Sequence, residues 1–187
     1  MMWFWILFSF LICQRGVELF IAKRNERWMK DQGAKEFGEE HYGLLVAMHV
    51  SFFVSLVLEV QTLQPALSPY APLFLFLFLL AQWLRVWAIT SLGRFWNTKI
   101  LVLPNTRVIA RGPYTFMRHP NYVVVTLELA TLPLLFQAYF TFLFFFVCNL
   151  IILSIRIPEE ERALQTWTNY DEPFAEKARF IPKRPKL

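Results

Sequence analysis

Four long apolar blocks, residues 3–22, 42–63, 73–92 and 122–155, alternate with polar connectors along the chain. Each of the first three has about the twenty residues that a helix needs to cross a bilayer. The fourth is too long for one helix, and Pro133 followed by Gln137 divides it into arms 122–136 and 138–155. These arms are a little short and are expected to tilt or to end in interfacial aromatics. The expectation is an all-α integral membrane protein, one domain over residues 1–187, with five transmembrane helices. The last two form a helical hairpin. A signal peptide is a poor reading of the first block, because nothing basic precedes it and Lys23, Arg24 and Arg27 follow it.

Cations set the expected orientation. Of nineteen Lys and Arg, five fall in residues 23–41, five in 93–121 and seven from Arg156 onward. The N-terminus, the 64–72 turn and the hairpin tip have none. The positive-inside rule then places the N-terminus outside and the C-terminus on the cytoplasmic side of the cell membrane. With 56% hydrophobic residues and twenty Phe, the composition is not that of a soluble domain. The net charge of +5 is a matter of topology, since no basic helix or nucleic-acid motif gathers the cations. Cys13 and Cys148 sit in apolar runs without CxxC spacing and read as small packing residues.

A few polar groups interrupt the blocks. Arg15 and Glu18 are three apart, so they share a helix face and can pair. His49 reads as a hydrogen-bonded packing residue, ten positions from Glu59 and too far away to touch it. Arg85, near the inner end of the third block, is expected to snorkel to the interface. The 23–41 connector reads as amphipathic or irregular.

The densest chemistry lies from Arg107 to Tyr122, with three Arg, a His, a Gly-Pro pair and a His-Pro pair. Gly112-Pro113-Tyr114 predicts a turn, and Pro120 suits the first turn of the fourth helix. Tyr114 and Tyr122 bracket Arg118-His119, and open N–H groups at the helix start would suit an anion. A second cluster, Arg156-Ile-Pro-Glu159-Glu160-Glu161-Arg162, has two readings. It is a helix N-terminus, with Pro in the first position and acids in the first turn. Otherwise it is the other half of a site, because the hairpin returns it to the membrane face of His119.

The two clusters in this order, Gly-x-Tyr-x-x-x-Arg-His-Pro-x-Tyr and then, past a hairpin, Arg and a Glu-Glu pair, resemble the isoprenylcysteine carboxyl methyltransferase family. The likeness covers residues 94–180, and the family has relatives among phospholipid N-methyltransferases. It implies an S-adenosylmethionine-dependent membrane enzyme whose cofactor site faces the cytosol. A lipophilic substrate would enter it from the bilayer. By motif position it assigns cofactor contacts to Thr106, Arg107, Val108, Ile109, Tyr114, His119, Pro120, Asn121, Tyr122 and Glu160, within segments 94–122 and 156–180. Arg156 matches the family's arginine beside the acceptor, and no metal is implied. Thr106 stands where the family often has His, and Val123 and Val124 stand where Gly often follows the second Tyr.

On that resemblance, Arg156 would orient an anionic oxygen toward the methyl group. A carboxylate or an acidic enol is ionised near neutral pH and needs no general base, whereas an amine gains nothing from an arginine. The reading is therefore O-methylation of a lipophilic acid, of the long-chain alkylpyrone type or, second, an isoprenylcysteine-like carboxylate. Phospholipid or amine N-methylation is the competing enzyme reading. A non-catalytic scaffold or small transporter competes from another class, although no internal repeat supports a transporter.

Overall fold

The structure is a computed structural model and describes residues 2–181. Met1 and residues 182–187, which hold the last three cations of the tail, lie outside the described residues. The chain forms α1 (Met2–Asp31), β1 (Lys35–Phe37), α2 (Glu39–Leu63), α3 (Ala71–Leu92), β2 (Ile100–Val102), α4 (Pro120–Leu135), α5 (Tyr139–Trp167) and α6 (Asp171–Phe174). Short 3-10 turns cover Gly93–Phe95 and Gly112–Thr115. The protein is a helical, multi-pass membrane protein. Four helices, α1, α2, α3 and α5, are long and apolar enough to cross a bilayer. The shorter apolar helix α4 has sixteen residues and rises only about 24 Å, against a hydrocarbon thickness of about 30 Å.

That short helix is the most enclosed one. Its Val124, Leu129, Leu132 and Leu135 are buried in the bundle, and it packs along α3 for most of its length. Pro120 opens it, as expected, because a first-turn proline has no N–H to waste. Gln137, at φ 54, turns the chain into α5. At the same end Glu59 accepts the first N–H groups of α5, those of Phe140 and Thr141, at 3.0 and 2.8 Å. Glu59 is thus a cap supplied by a neighbouring helix, with no link to His49. Aromatic edges fill this end of the core, Phe4 against Phe136 at 5.1 Å and Phe52 against Phe145 at 5.6 Å.

At the opposite end the three cation-bearing segments converge. The stretch after Ala22 is not irregular: α1 continues to Asp31, with a Lys30–Glu26 pair one turn apart. Then β1 pairs antiparallel with β2, Phe37 facing Ile100, a small sheet that an all-α expectation lacks. The tail returns over the loop before α4, where the Arg118 and His119 N–H groups donate to Ala178 and Arg179 carbonyls at 3.1 and 3.0 Å.

Three local expectations change. Pro158 does not start a helix; it lies inside the continuous 29-residue α5, so the acidic cluster belongs to a helix already two-thirds run. Arg85 does not snorkel. It is buried, bound to Glu18 at 3.1 Å and to both carboxylate oxygens of Glu128. Arg15 bridges the same two acids, reaching Glu128 at 2.8 and 2.9 Å, and Gln82 adds a bond to Glu128 at 2.6 Å. Two arginines and two glutamates thus balance inside the bundle and fasten α1 to α3 and α4. Cys13 is exposed on the outer face of α1, whereas Cys148 packs at the core edge.

Candidate active site

A cavity of about 550 Å³ runs from the loop end of the bundle into its apolar middle. Its size is that of a small-molecule site. The loop end is walled by Tyr114, His119, Asn121, Tyr122, Arg156 and Glu160, and the inner part by α1 and α2 residues such as Ile12, Leu19, Val46 and Phe53.

The polar wall is one linked chain. Tyr122, from the first turn of α4, donates its hydroxyl to Glu160 at 2.5 Å and accepts from Arg156 Nε at 3.1 Å. Arg156 and Glu160 lie four apart on α5, hence on one helix face. The Nη2 of Arg156 donates to the carbonyl of Thr98, and Thr98 is held in turn by the Tyr42 hydroxyl at 3.1 Å. Arg156 is only 4% exposed, yet among the described residues it makes no ion pair, and its Nη1 has no partner. A guanidinium out of water without a carboxylate is costly unless an anion completes it.

His119 is buried on the cavity wall, with its ring nitrogens toward the acids of α5. Its Nε2 meets Glu161 at 3.0 Å, and its Nδ1 stands 3.9 Å from Glu160. Glu161 also binds Arg179 at 2.6 Å, so this pair clamps the tail over the site. Glu161 was not singled out because it is merely the next acid in a run of three; only the helix phase shows that it faces the tail. The helix-start donors are mostly spent as well. The Tyr122 and Val123 N–H groups donate back to the His119 carbonyl, which leaves that of Asn121. Asn121 Nδ2 donates to Tyr114 at 3.0 Å. Burial, aided by the nearby Glu160 charge, pushes the Tyr114 phenol well above its ordinary value, so it stays protonated. Gly112 sets Tyr114 in place: it has φ +60, and a Cβ there would fall 2.0 Å from Ser91 Oγ.

Not all of the expected positions reach the cavity. Thr106, Arg107, Val108 and Ile109 lie outside its wall, as does Pro120. Thr106 binds the Leu103 carbonyl at 2.7 Å, the Val108 N–H donates to Asn169 at 2.9 Å, and Arg107 is exposed. Val108 instead packs against the Tyr114, Tyr170 and Phe174 cluster behind the site. Conversely, Tyr42, Thr98, His49 and Arg15 line the cavity without a motif to announce them.

The polar wall fits a cofactor that carries a cation together with amino or hydroxyl groups. Glu160 Oε1 and Asn121 Oδ1 have no partner among the described residues and can accept from amino or hydroxyl groups. Tyr114 and Tyr122 offer ring faces to a sulfonium or a base. Trp96 Nε1 and Asn149 Oδ1, on residues that also line the cavity, are buried and have no partner among the described residues.

Comparison with known proteins supplies the family. The model of the isoprenylcysteine carboxyl methyltransferase (ICMT) family matches residues 73–166, from α3 through the acidic cluster of α5. The uncharacterized protein YpbQ of Bacillus subtilis (strain 168) is 46% identical over 165 residues, 88% of this chain and 98% of that protein. An uncharacterized protein of Haemophilus influenzae is 29% identical over 160 residues, 85% of this chain and 93% of that one. The chain therefore belongs to the isoprenylcysteine carboxyl methyltransferase family of membrane methyltransferases.

Proposed function

We propose that this protein is an S-adenosylmethionine-dependent O-methyltransferase that methylates an acidic oxygen of a lipophilic molecule. Its site would face the cytoplasm, and the substrate would reach it from the bilayer. The observation that carries the reading is Arg156, a buried cation without a carboxylate at the junction of a polar and an apolar wall. When bound, the cofactor supplies a methyl group on a sulfonium, activated for displacement.

The residues then divide the work. Arg156 Nη1 holds the anionic oxygen, while Tyr122 and Thr98 lock the guanidinium so that it cannot swing away. Glu160 and Asn121 would hold polar groups of the cofactor, and the Tyr114 and Tyr122 rings would flank it. The tail clamp through His119 and Glu161 excludes water. An acceptor oxygen held on Arg156 would be aligned with the methyl group that such a cofactor would supply. No proton has to move, so the rate comes from alignment and a dry site. Long-chain acidic enols of the alkylpyrone type fit this chemistry best, with carboxylates of isoprenylcysteine type second.

The test is calorimetric cofactor binding to detergent-purified protein, followed by transfer of labelled methyl to long-chain enols, carboxylates and amines. We expect micromolar-range binding that Glu160→Ala weakens at least about tenfold, and label only in the acidic acceptors. Label in amine headgroups would favour N-methylation. No cofactor binding by folded wild type would point to a non-catalytic membrane protein.

A further inference from the structure

The inner part of the cavity is not uniformly apolar. On α2, His49 lines it two turns beyond Tyr42. The His49 Nδ1 lies 2.8 Å from the carbonyl of Leu45. A carbonyl can only accept, so Nδ1 carries the proton, and in the neutral ring Nε2 is left with a lone pair. Among the described residues that lone pair has no partner. Arg15, also on the cavity wall, spends Nη1 and Nη2 on Glu18 and Glu128 and, among the described residues, leaves its Nε–H without a partner.

One bare acceptor and one bare donor therefore face the same membrane-embedded space. Anions are poor ligands here, because the charges of Arg15, Arg85, Glu18 and Glu128 already balance and a carboxylate has no proton to give Nε2. An ammonium has no lone pair for the Arg15 N–H. A hydroxyl satisfies both, donating to His49 Nε2 and accepting from Arg15 Nε. Seven residues of helix, about 10 Å, separate His49 from Tyr42, which with Thr98 marks the level of Arg156.

We propose that the cavity holds a second polar subsite, made by His49 and Arg15, for a hydroxyl on the lipophilic part of the substrate. That hydroxyl would lie about 10 Å from the methyl-accepting oxygen. The proposal rests on the methyl-transfer reading only for the place of that oxygen. The substrate class is thereby narrowed from an acidic lipid to a hydroxylated acidic lipid.

Two long-chain acidic enols of equal length, one with a hydroxyl about 10 Å along the chain from the enol, test it. Their binding to the full chain in lipid nanodiscs is compared by native mass spectrometry, with labelled methyl transfer measured alongside. Wild type should hold the hydroxylated compound about tenfold more tightly. His49→Ala should erase the difference, and His49→Gln, whose amide oxygen also accepts, should keep part of it. Equal binding by wild type, or a preference that survives in His49→Ala, overturns the subsite. If His49→Ala does not fold, the wild-type ratio and His49→Gln decide. A hydroxyl preference without any methyl transfer would sink the methyltransferase reading and leave the subsite standing.

Discussion

Two regions of this bundle bury arginine, and they do so in opposite ways. Between α1, α3 and α4, Arg15 and Arg85 meet Glu18 and Glu128, two charges against two, with Gln82 and Gln14 adding hydrogen bonds. On α5, Arg156 is as deeply buried as Arg85, at 4% against 5% exposure, and has a phenol and a carbonyl in place of acids. A buried ion pair is costly to make and far more costly to break, because the survivor is stranded. The paired set therefore reads as architecture. The unpaired one is a place held for a ligand.

The difference predicts opposite responses to substitution. Glu128→Gln leaves Arg15 and Arg85 sharing the single charge of Glu18, one buried positive charge in excess, and should cost about 3–5 kcal/mol of stability, measured by chemical unfolding in detergent. Arg85→Met added to it should restore part of the loss, since it removes one stranded charge. Arg156→Met should do the reverse. It removes a charge that the fold does not pair, so stability should hold or rise, while methyl transfer falls about a hundredfold, or about 2.7 kcal/mol. Unfolding of Arg156→Met as severe as that of Glu128→Gln would falsify the contrast. A loss of cofactor affinity equal to the loss of turnover would reassign Arg156 to the cofactor's carboxylate.

A third substitution tries to convert one region into the other. Leu153 lines the cavity one turn before Arg156 on α5. Leu153→Glu would place a carboxylate at the i,i+3 position, in the favourable orientation for pairing with an arginine. With Arg156 so occupied, the KM for an anionic acceptor should rise about tenfold while cofactor affinity stays level. An unchanged KM would show that Arg156 does not read the acceptor's charge.

How much of this was legible in the sequence follows from the range over which each signal acts. The positions of the apolar helices, the α4–α5 hairpin and Pro120 as a helix start were legible, because apolar run length and proline chemistry are local. Six of the eleven motif positions meet at the cavity. The other five occupy the loop behind it or the helix start, where a motif fixes order along the chain but not which side faces the void. The fate of Arg85 was illegible for a different reason. Snorkelling was a fair expectation for one charge near a span end, and only the arrival of Glu128, forty-three residues later, decides otherwise. Pro158 misled because a proline with acids behind it looks the same at a helix start and in a helix that simply continues. The β1–β2 pair is three residues a side, too short for any alternation to show.

That small sheet carries the mildest contrast, a set of ion pairs at the wet end of the bundle. Lys30 and Lys99 each bridge Glu26 and Glu36, at 2.7–2.9 Å, in a closed ring that holds the Lys99–Val102 wall of the cavity to α1 and β1. Burial alone would raise the Glu36 carboxyl, but hydrogen bonds from Lys30 and Lys99 outweigh it and hold the group below its ordinary 4.5. The Glu36 and Glu26 bonds, against some burial, raise Lys99 above its ordinary 10.5. A depressed acid stabilises the fold above its unfolded value and loses that contribution as pH falls through the folded one. A raised amine stabilises below its unfolded value and loses that contribution as pH climbs past the folded one. The ring should thus work at full strength between the two ordinary values and fade outside them. Exposed pairs are worth only about 0.2–1 kcal/mol each, so Lys99→Met should lower stability by about 1 kcal/mol at neutral pH. Amide exchange in β2 should speed up accordingly, and the gap between wild type and variant should close as pH falls below the carboxylate range. A gap that persisted in acid would mean that Lys99 acts through its ammonium over the Tyr42 ring, 5.6 Å away, and that the ring face rather than the carboxylates holds the wet end of the molecule.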